Sequence, residues 1–248
     1  MLRRCGPPAT LVLVLALALA VGCSSDGSEA ETQTQAQTQT RPTGSGTGRT
    51  DTTQRTGSIR LVDEPWVCMG RVDLDLVKVE MKTVQSDAVY LRQGCTGRVG
   101  RIEVDTWKGD GIKVNVPAPA PHDLVFEGGY VRCHDQGVGG HQDGIQVMGG
   151  ERITFEGLEI QCNSNPNAQF YVSALEPGLP TDVVCDGCIL GTGAASTLFV
   201  DKSVRSGARN TLICPGRFHT LRVDESLAEE PVLEGNRELP AGDEHCTK

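Results

Sequence analysis

The chain has 248 residues, a formal net charge of −9 and only 4% aromatic residues. It carries no basic patch and no basic–aromatic interleaving, so nucleic acid is excluded as an expected partner. Ten cysteines, eight of them beyond residue 58, argue for disulfides in an exported protein.

The first 22 residues read as a secretory signal. Arg3 and Arg4 supply the basic start, and 11–21 is an unbroken run of Leu, Val and Ala, too short for a membrane span. Removing it removes two Arg and no acid, so the remaining chain is more acidic still. The run ends Ala20-Val21-Gly22-Cys23, which resembles the lipobox of bacterial lipoproteins. That resemblance implies that Cys23 becomes the first residue, carries the lipid and holds the protein on the outer face of the cell membrane; the alternative is plain secretion. Residues 23–58 are Thr, Gln, Gly and Ser with almost no aliphatics, and read as a disordered tether.

From residue 59 the sequence repeats itself. Leu124-Val125-Phe126-Glu127-Gly128, Ile153-Thr154-Phe155-Glu156-Gly157, Val183-Val184-Cys185-Asp186-Gly187 and Leu212-Ile213-Cys214-Pro215-Gly216 share one pattern, with starts 29, 30 and 29 residues apart. A second strand precedes it: Asp87-Ala88-Val89-Tyr90-Leu91, Asp110-Gly111-Ile112-Lys113-Val114 and Asp143-Gly144-Ile145-Gln146-Val147, continued by Phe170-Tyr171-Val172 and Leu198-Phe199-Val200. A third follows the Gly: Tyr130-Val131-Arg132-Cys133, then Glu159-Ile160-Gln161-Cys162. Three short strands per repeat, apolar at alternate positions and separated by Gly, Asn and Asp turns, predict an all-β right-handed parallel β-helix over 59–223, a single-chain solenoid of five or six coils. A β-sandwich does not explain the repeat, and a leucine-rich pattern is missing. Residues 224–248 read as an acidic cap or tail.

Register suggests disulfide staples between coils. Strands in adjacent coils lie about 4.8 Å apart, within the Cα separation a disulfide accepts. Cys133–Cys162 and Cys185–Cys214 are expected from equivalent positions, Cys68–Cys95 from their spacing, and Cys188–Cys246 as the remaining pair. A different pairing among Cys133, Cys162 and Cys188 stays open, as does zinc at the Cys185-Asp186-Gly187-Cys188 motif.

The coil before Asp143 is longer than its neighbours. Its insertion, Cys133-His134-Asp135-Gln136-Gly137-Val138-Gly139-Gly140-His141-Gln142, holds two of the five His in a Gly-rich loop, where binding groups collect on a regular scaffold. The following His141-Gln142-Asp143-Gly144-Ile145-Gln146 resembles a signature of secreted β-helix proteins of the pectate-lyase-like group. The Asp-Gly-Ile portion is also similar to a polygalacturonase motif whose Asp is catalytic. The resemblance implies a carbohydrate-active protein with a catalytic carboxylate at Asp143. Read physically, Asp87, Asp110 and Asp143 stack at one edge, and a bound cation such as calcium, a raised pKa or turn N–H groups must relieve their repulsion.

On the enzymatic reading, Asp143 and Asp110 act as acid and base, and Lys113 and Arg132 grip an anionic sugar. His134 or His141 assists, Asp135 joins His134 in binding substrate, and Gln146 and Tyr171, with Phe199, line the groove; in a lyase, Lys113, Arg132 or His141 is the base. On the other reading each Asp caps the backbone of its own turn. The Asp-Asp, Gly-His-Gly and Arg-x-Lys elements of polygalacturonases are missing. Two functions therefore stand side by side. One is an enzyme acting on acidic, uronate-containing polysaccharide; the other is a non-catalytic glycan- or protein-binding surface module.

Overall fold

A computed structural model describes residues 55–115, 118–134, 142–162, 167–174 and 178–246. They form a parallel β-solenoid of about six turns. Every ladder is parallel, and the only helix among the described residues is the 3-10 turn Glu244–Cys246. One face is a seven-stranded sheet of short strands, here the short sheet. It runs Trp66–Cys68, Val89–Leu91, Ile112–Val114, Ile145–Val147, Ala168–Val172, Ser196–Val200, His219–Val223.

The rest of the wall is a fifteen-stranded sheet, the long sheet, whose two limbs meet in the strand Arg71–Met81. The first half of that strand pairs with Thr96–Val99 and the second with Ile102–Thr106. Later coils split at a glycine bend. Gly128 and Gly129 both have positive φ (149° and 122°), and a Cβ on Gly129 would strike the Ile102 carbonyl.

Alternation puts every second side chain inside the tube. Ile112, Ile145, Phe170 and Leu198 stack in one interior column, and Val114, Val147, Val172 and Val200 in the next; all are fully buried. Phe126 and Phe155 occupy equivalent places in adjacent coils, with ring centroids 5.1 Å apart and planes 11° from parallel. Each such side chain contributes about 1.5–3 kcal/mol by leaving water, so the columns are the main adhesive between coils.

The boundaries differ from those read in the sequence. The first strand, Arg55–Val62, begins inside the segment assigned to the tether. Its polar start joins the sheet through backbone pairing with Arg71–Met81, which needs no apolar side chain. At the other end Ala228–Glu229 and Arg237–Glu238 continue the ladders, because Ala228 and Leu239 supply buried apolar groups at coil spacing. The coil thus extends into the segment read as a cap or tail.

Among the described residues there are four disulfides. Cys68–Cys95 and Cys133–Cys162 pair as expected. Cys185 pairs with Cys188, and Cys214 with Cys246, in place of Cys185–Cys214 and Cys188–Cys246. The reason is register. Cys185 faces Ala208 in the next coil, whereas Leu212-Ile213 lies on the other limb and pairs with Ile189-Leu190. The fourth copy of the sequence pattern therefore belongs to a different strand class. Both Cys of the C-x-x-C are in a disulfide across the Asp186-Gly187 bend, which displaces the zinc reading. Four disulfides fit an oxidising compartment, and no described helix is long and apolar enough to cross a membrane.

Candidate functional site

The three aspartates do stack, and their carboxylates are occupied. Asp87 Oδ1 accepts the backbone N–H of Asp110 at 2.9 Å. Asp110 Oδ1 accepts that of Asp143 at 2.8 Å, and Asp143 Oδ1 that of Ala168 at 2.8 Å. Each Asp caps the backbone of the next coil, not of its own turn. The following glycines let the corner close: a Cβ on Gly111 would strike Val131 and the Gly144 carbonyl, and one on Gly144 would strike Ile160 and the Gln169 carbonyl. Asp-Gly-Ile is thus a coil-corner device.

Lys113 Nζ lies 3.1 Å from Asp110 Oδ2 and 3.5 Å from Asp87 Oδ2, so an ammonium bridges two of the three stacked carboxylates. Burial works against the Lys113 charge, but the two carboxylates outweigh it and raise its pKa. Burial, then repulsion from Asp87, raises Asp110. Burial, then repulsion from Asp110, pushes Asp143 up to about 8, against the pull of the Ala168 N–H, Lys113 and Gln146. Asp143 is sealed from solvent, and Asp110 nearly so.

Outside this corner runs a column in strict register: Tyr90, Lys113, Gln146, Tyr171, Phe199, Arg222. Gln146 donates from Nε2 to Asp143 Oδ2 at 3.2 Å, while its Oε1 has no partner among the described residues. Tyr171 and Phe199 stack 4.7 Å apart and 6° from parallel, and the Arg222 guanidinium covers Phe199 at 4.9 Å. Their ring faces are turned along the solenoid axis and spent on each other. What remains for a ligand is ring edges, flanked by Arg222 and, over Tyr90, by Arg92.

Arg132 and His134 lie on a different wall, the outer face of the long sheet. His134 stacks on Trp107 with centroids 4.1 Å apart, and its Nε2 lies 3.0 Å from Asp105 Oδ1. Tyr130 donates to the other Asp105 oxygen at 3.1 Å, and Arg132 covers the Tyr130 ring. Burial and the Asp105 charge push the Tyr130 phenol up to about 12. Asp105, Trp107 and Tyr130 were not singled out from the sequence. The signal was register: Thr106 faces Cys133, which places Trp107 beside His134 and Asp105 beside Arg132. Asp135, His141 and Cys23 lie outside the described residues.

The opposite limb carries a ladder of alternating charge, Asp123, Arg152, Asp182, Arg205, Glu230, each residue with φ between 43° and 54°. Arg205 grips Asp182 at 2.7 and 2.8 Å, and Arg152 donates to Asp123. A groove of about 520 Å³ lies along it, floored by Val184 and Val232. Its Arg charges are spent on neighbouring carboxylates, Arg152 and Arg205 within the ladder and Arg209 on Asp186. Among the described residues no group of three or more His, Cys, Asp or Glu is disposed to hold a metal ion.

No family model, no curated protein and no solved structure matches this chain.

Proposed function

We propose that this protein is an exported surface module that binds extended acidic polysaccharide along the outer face of the short sheet and does not turn it over. The observation that carries this reading is the corner itself. Asp110 and Asp143, the pair with which a glycosidase mechanism would begin, are buried and engaged with the next coil's N–H groups. Beside them an outward column repeats once per coil, about every 4.8 Å, and offers ring edges and the guanidiniums of Arg92 and Arg222. Guanidinium forks suit carboxylate groups on a sugar chain. Because the Lys113 ammonium bridges Asp87 and Asp110, this reading needs no divalent cation, and chelation should leave binding unchanged. A lipid on Cys23 would hold the module at the outer face of the cell membrane, and Cys23→Ser should release it into the medium.

The test compares uronate-containing with neutral polysaccharides, following both binding and new unsaturated or reducing ends. Uronate binding without product, weakened at least tenfold in Arg92→Gln/Arg222→Gln, is expected. Binding that ignores those substitutions or favours neutral chains removes the reading.

One observation favours a second, enzymatic reading. His134 is held by Asp105 through Nε2, and its Nδ1 has no partner among the described residues, the arrangement of a general base with Arg132 alongside. Product formation that disappears in His134→Ala and Asp105→Asn, with the fold intact, would establish it.

A further inference from the structure

The limb that carries the charge ladder lays one row of side chains per coil across its outer face. Each row is two charged residues four apart with a small residue between them. Strand register holds the last three in line: Asp182-Val184-Asp186, Arg205-Gly207-Arg209 and Glu230-Val232-Glu234. The alternate residues Val183, Cys185 and Ala208 point into the tube and are fully buried. Successive rows answer one another. Arg205 donates to both oxygens of Asp182 at 2.7 and 2.8 Å, and Arg209 Nε donates to Asp186 at 2.8 Å. The Glu230–Glu234 row repeats the acids of the Asp182–Asp186 row, and among the described residues no basic row follows it. Both Glu are exposed, and neither makes an ion pair or a side-chain hydrogen bond among the described residues. Arg205 attracts Glu230 only at a distance, its fork being occupied by Asp182. The groove of about 520 Å³ lies here, with Val184 and Val232 on its floor. Gly207, in register between those two valines, adds no side chain and leaves a notch.

We propose that this groove docks an extended basic segment of a partner polypeptide, with two Arg or Lys four residues apart and an apolar residue midway between them. Charge complementarity selects this occupant, and the fold itself supplies the precedent. Arg205-Ser206-Gly207-Ala208-Arg209 is such a segment, and its two guanidiniums reach two carboxylates four residues apart in the neighbouring coil. Four residues of extended chain span about 13 Å, so the cations match Glu230 and Glu234 in spacing. A helix would set the same cations only about 6 Å apart. The central apolar side chain rests over Gly207, between Val184 and Val232, and leaves water there. Guanidinium forks on the two Glu fix the register. The outer face of the short sheet offers the guanidiniums of Arg92 and Arg222. The two walls therefore take ligands of opposite charge, and neither reading depends on the other.

The purified full chain is titrated into a fluorescently labelled peptide carrying Arg-Ala-Val-Ala-Arg between neutral flanks, and anisotropy reads the binding. Saturable binding that weakens with added salt is expected. It should be at least tenfold weaker for a peptide carrying Arg-Val-Arg, and at least tenfold weaker for Glu230→Gln/Glu234→Gln. The variant Glu225→Gln/Glu238→Gln removes as much charge from the same part of the chain outside the groove, and should bind as wild type does. Circular dichroism on each variant separates loss of the site from loss of the fold, and the comparison of peptide spacings needs no variant at all. Absence of binding overturns the proposal. So do equal affinities for the two spacings, or an equal loss in Glu225→Gln/Glu238→Gln, which would mark diffuse attraction to an acidic region. A linear aliphatic tetraamine that displaces the peptide at equal concentration also overturns it, by making the groove a site for small cations.

Discussion

Asp143→Asn should make the protein more stable, and increasingly so as pH rises. In the folded chain Asp143 is buried beside Asp110 and pushed up to about 8, whereas in the unfolded chain it titrates near its ordinary 3.8. Below about pH 4 both states hold the proton and the group has no effect on the balance. Between about 4 and 8 the unfolded chain loses the proton while the folded chain keeps it, so wild-type stability falls with rising pH; above 8 the loss is complete. The separation corresponds to about 6 kcal/mol across the titration.

Asn removes the titration and keeps the carbonyl that accepts the Ala168 N–H. Its new amide replaces Oδ2, the acceptor of Gln146 Nε2, so the Gln146 amide turns over to present Oε1 as the acceptor. Urea unfolding at pH 4, 6, 8 and 9, followed through Trp66 and Trp107, should give a variant-minus-wild-type difference near zero at pH 4. It should rise to several kcal/mol above pH 8. A difference independent of pH across that range would refute the account of the corner.

Gly144→Ala should cost about 1–3 kcal/mol, because the added methyl meets Ile160 and the Gln169 carbonyl in a closed corner; an unchanged unfolding midpoint would deny that packing. Replacing Cys133 and Cys162 together by Ser should cost about 3–4 kcal/mol, since that bridge closes 29 residues. The same change at Cys185 and Cys188, three residues apart, should cost about 1.5 kcal/mol, and equal losses would contradict the pairing. Non-reducing peptide maps should recover Cys214 joined to Cys246. Arg152→Asp sets three carboxylates in line at Asp123, 152 and Asp182, and should lower the unfolding midpoint clearly at low salt and much less at about 1 M salt. An equal loss at both salt levels would deny the ladder its electrostatic origin.

The sequence by itself determined the solenoid, the alternate-in, alternate-out columns, the stack of Phe126 on Phe155 and two of the four disulfides. These follow from periodicity. A strand every 23 to 33 residues with apolar alternation has one way to bury its apolar face, which is against its own next coil. It also placed Asp110 and Lys113 one coil from Asp143 and Gln146, because the Asp-Gly-Ile motif carries its own register. Tertiary structure decided the rest.

The fourth repeat shifted limb because the last coils shorten, so Cys185 met Ala208 and the remaining cysteines paired locally and with the C-terminus. Arg132 and His134 parted from Asp143, since a three-walled tube turns residues a few positions apart onto different faces. Asp110 and Asp143 became backbone caps, not a reactive pair. Sequence reports that a carboxylate is present at a corner. Only the approach of the next coil's N–H, at 2.8 Å, fixes whether its oxygens are left for a ligand or taken up by the fold.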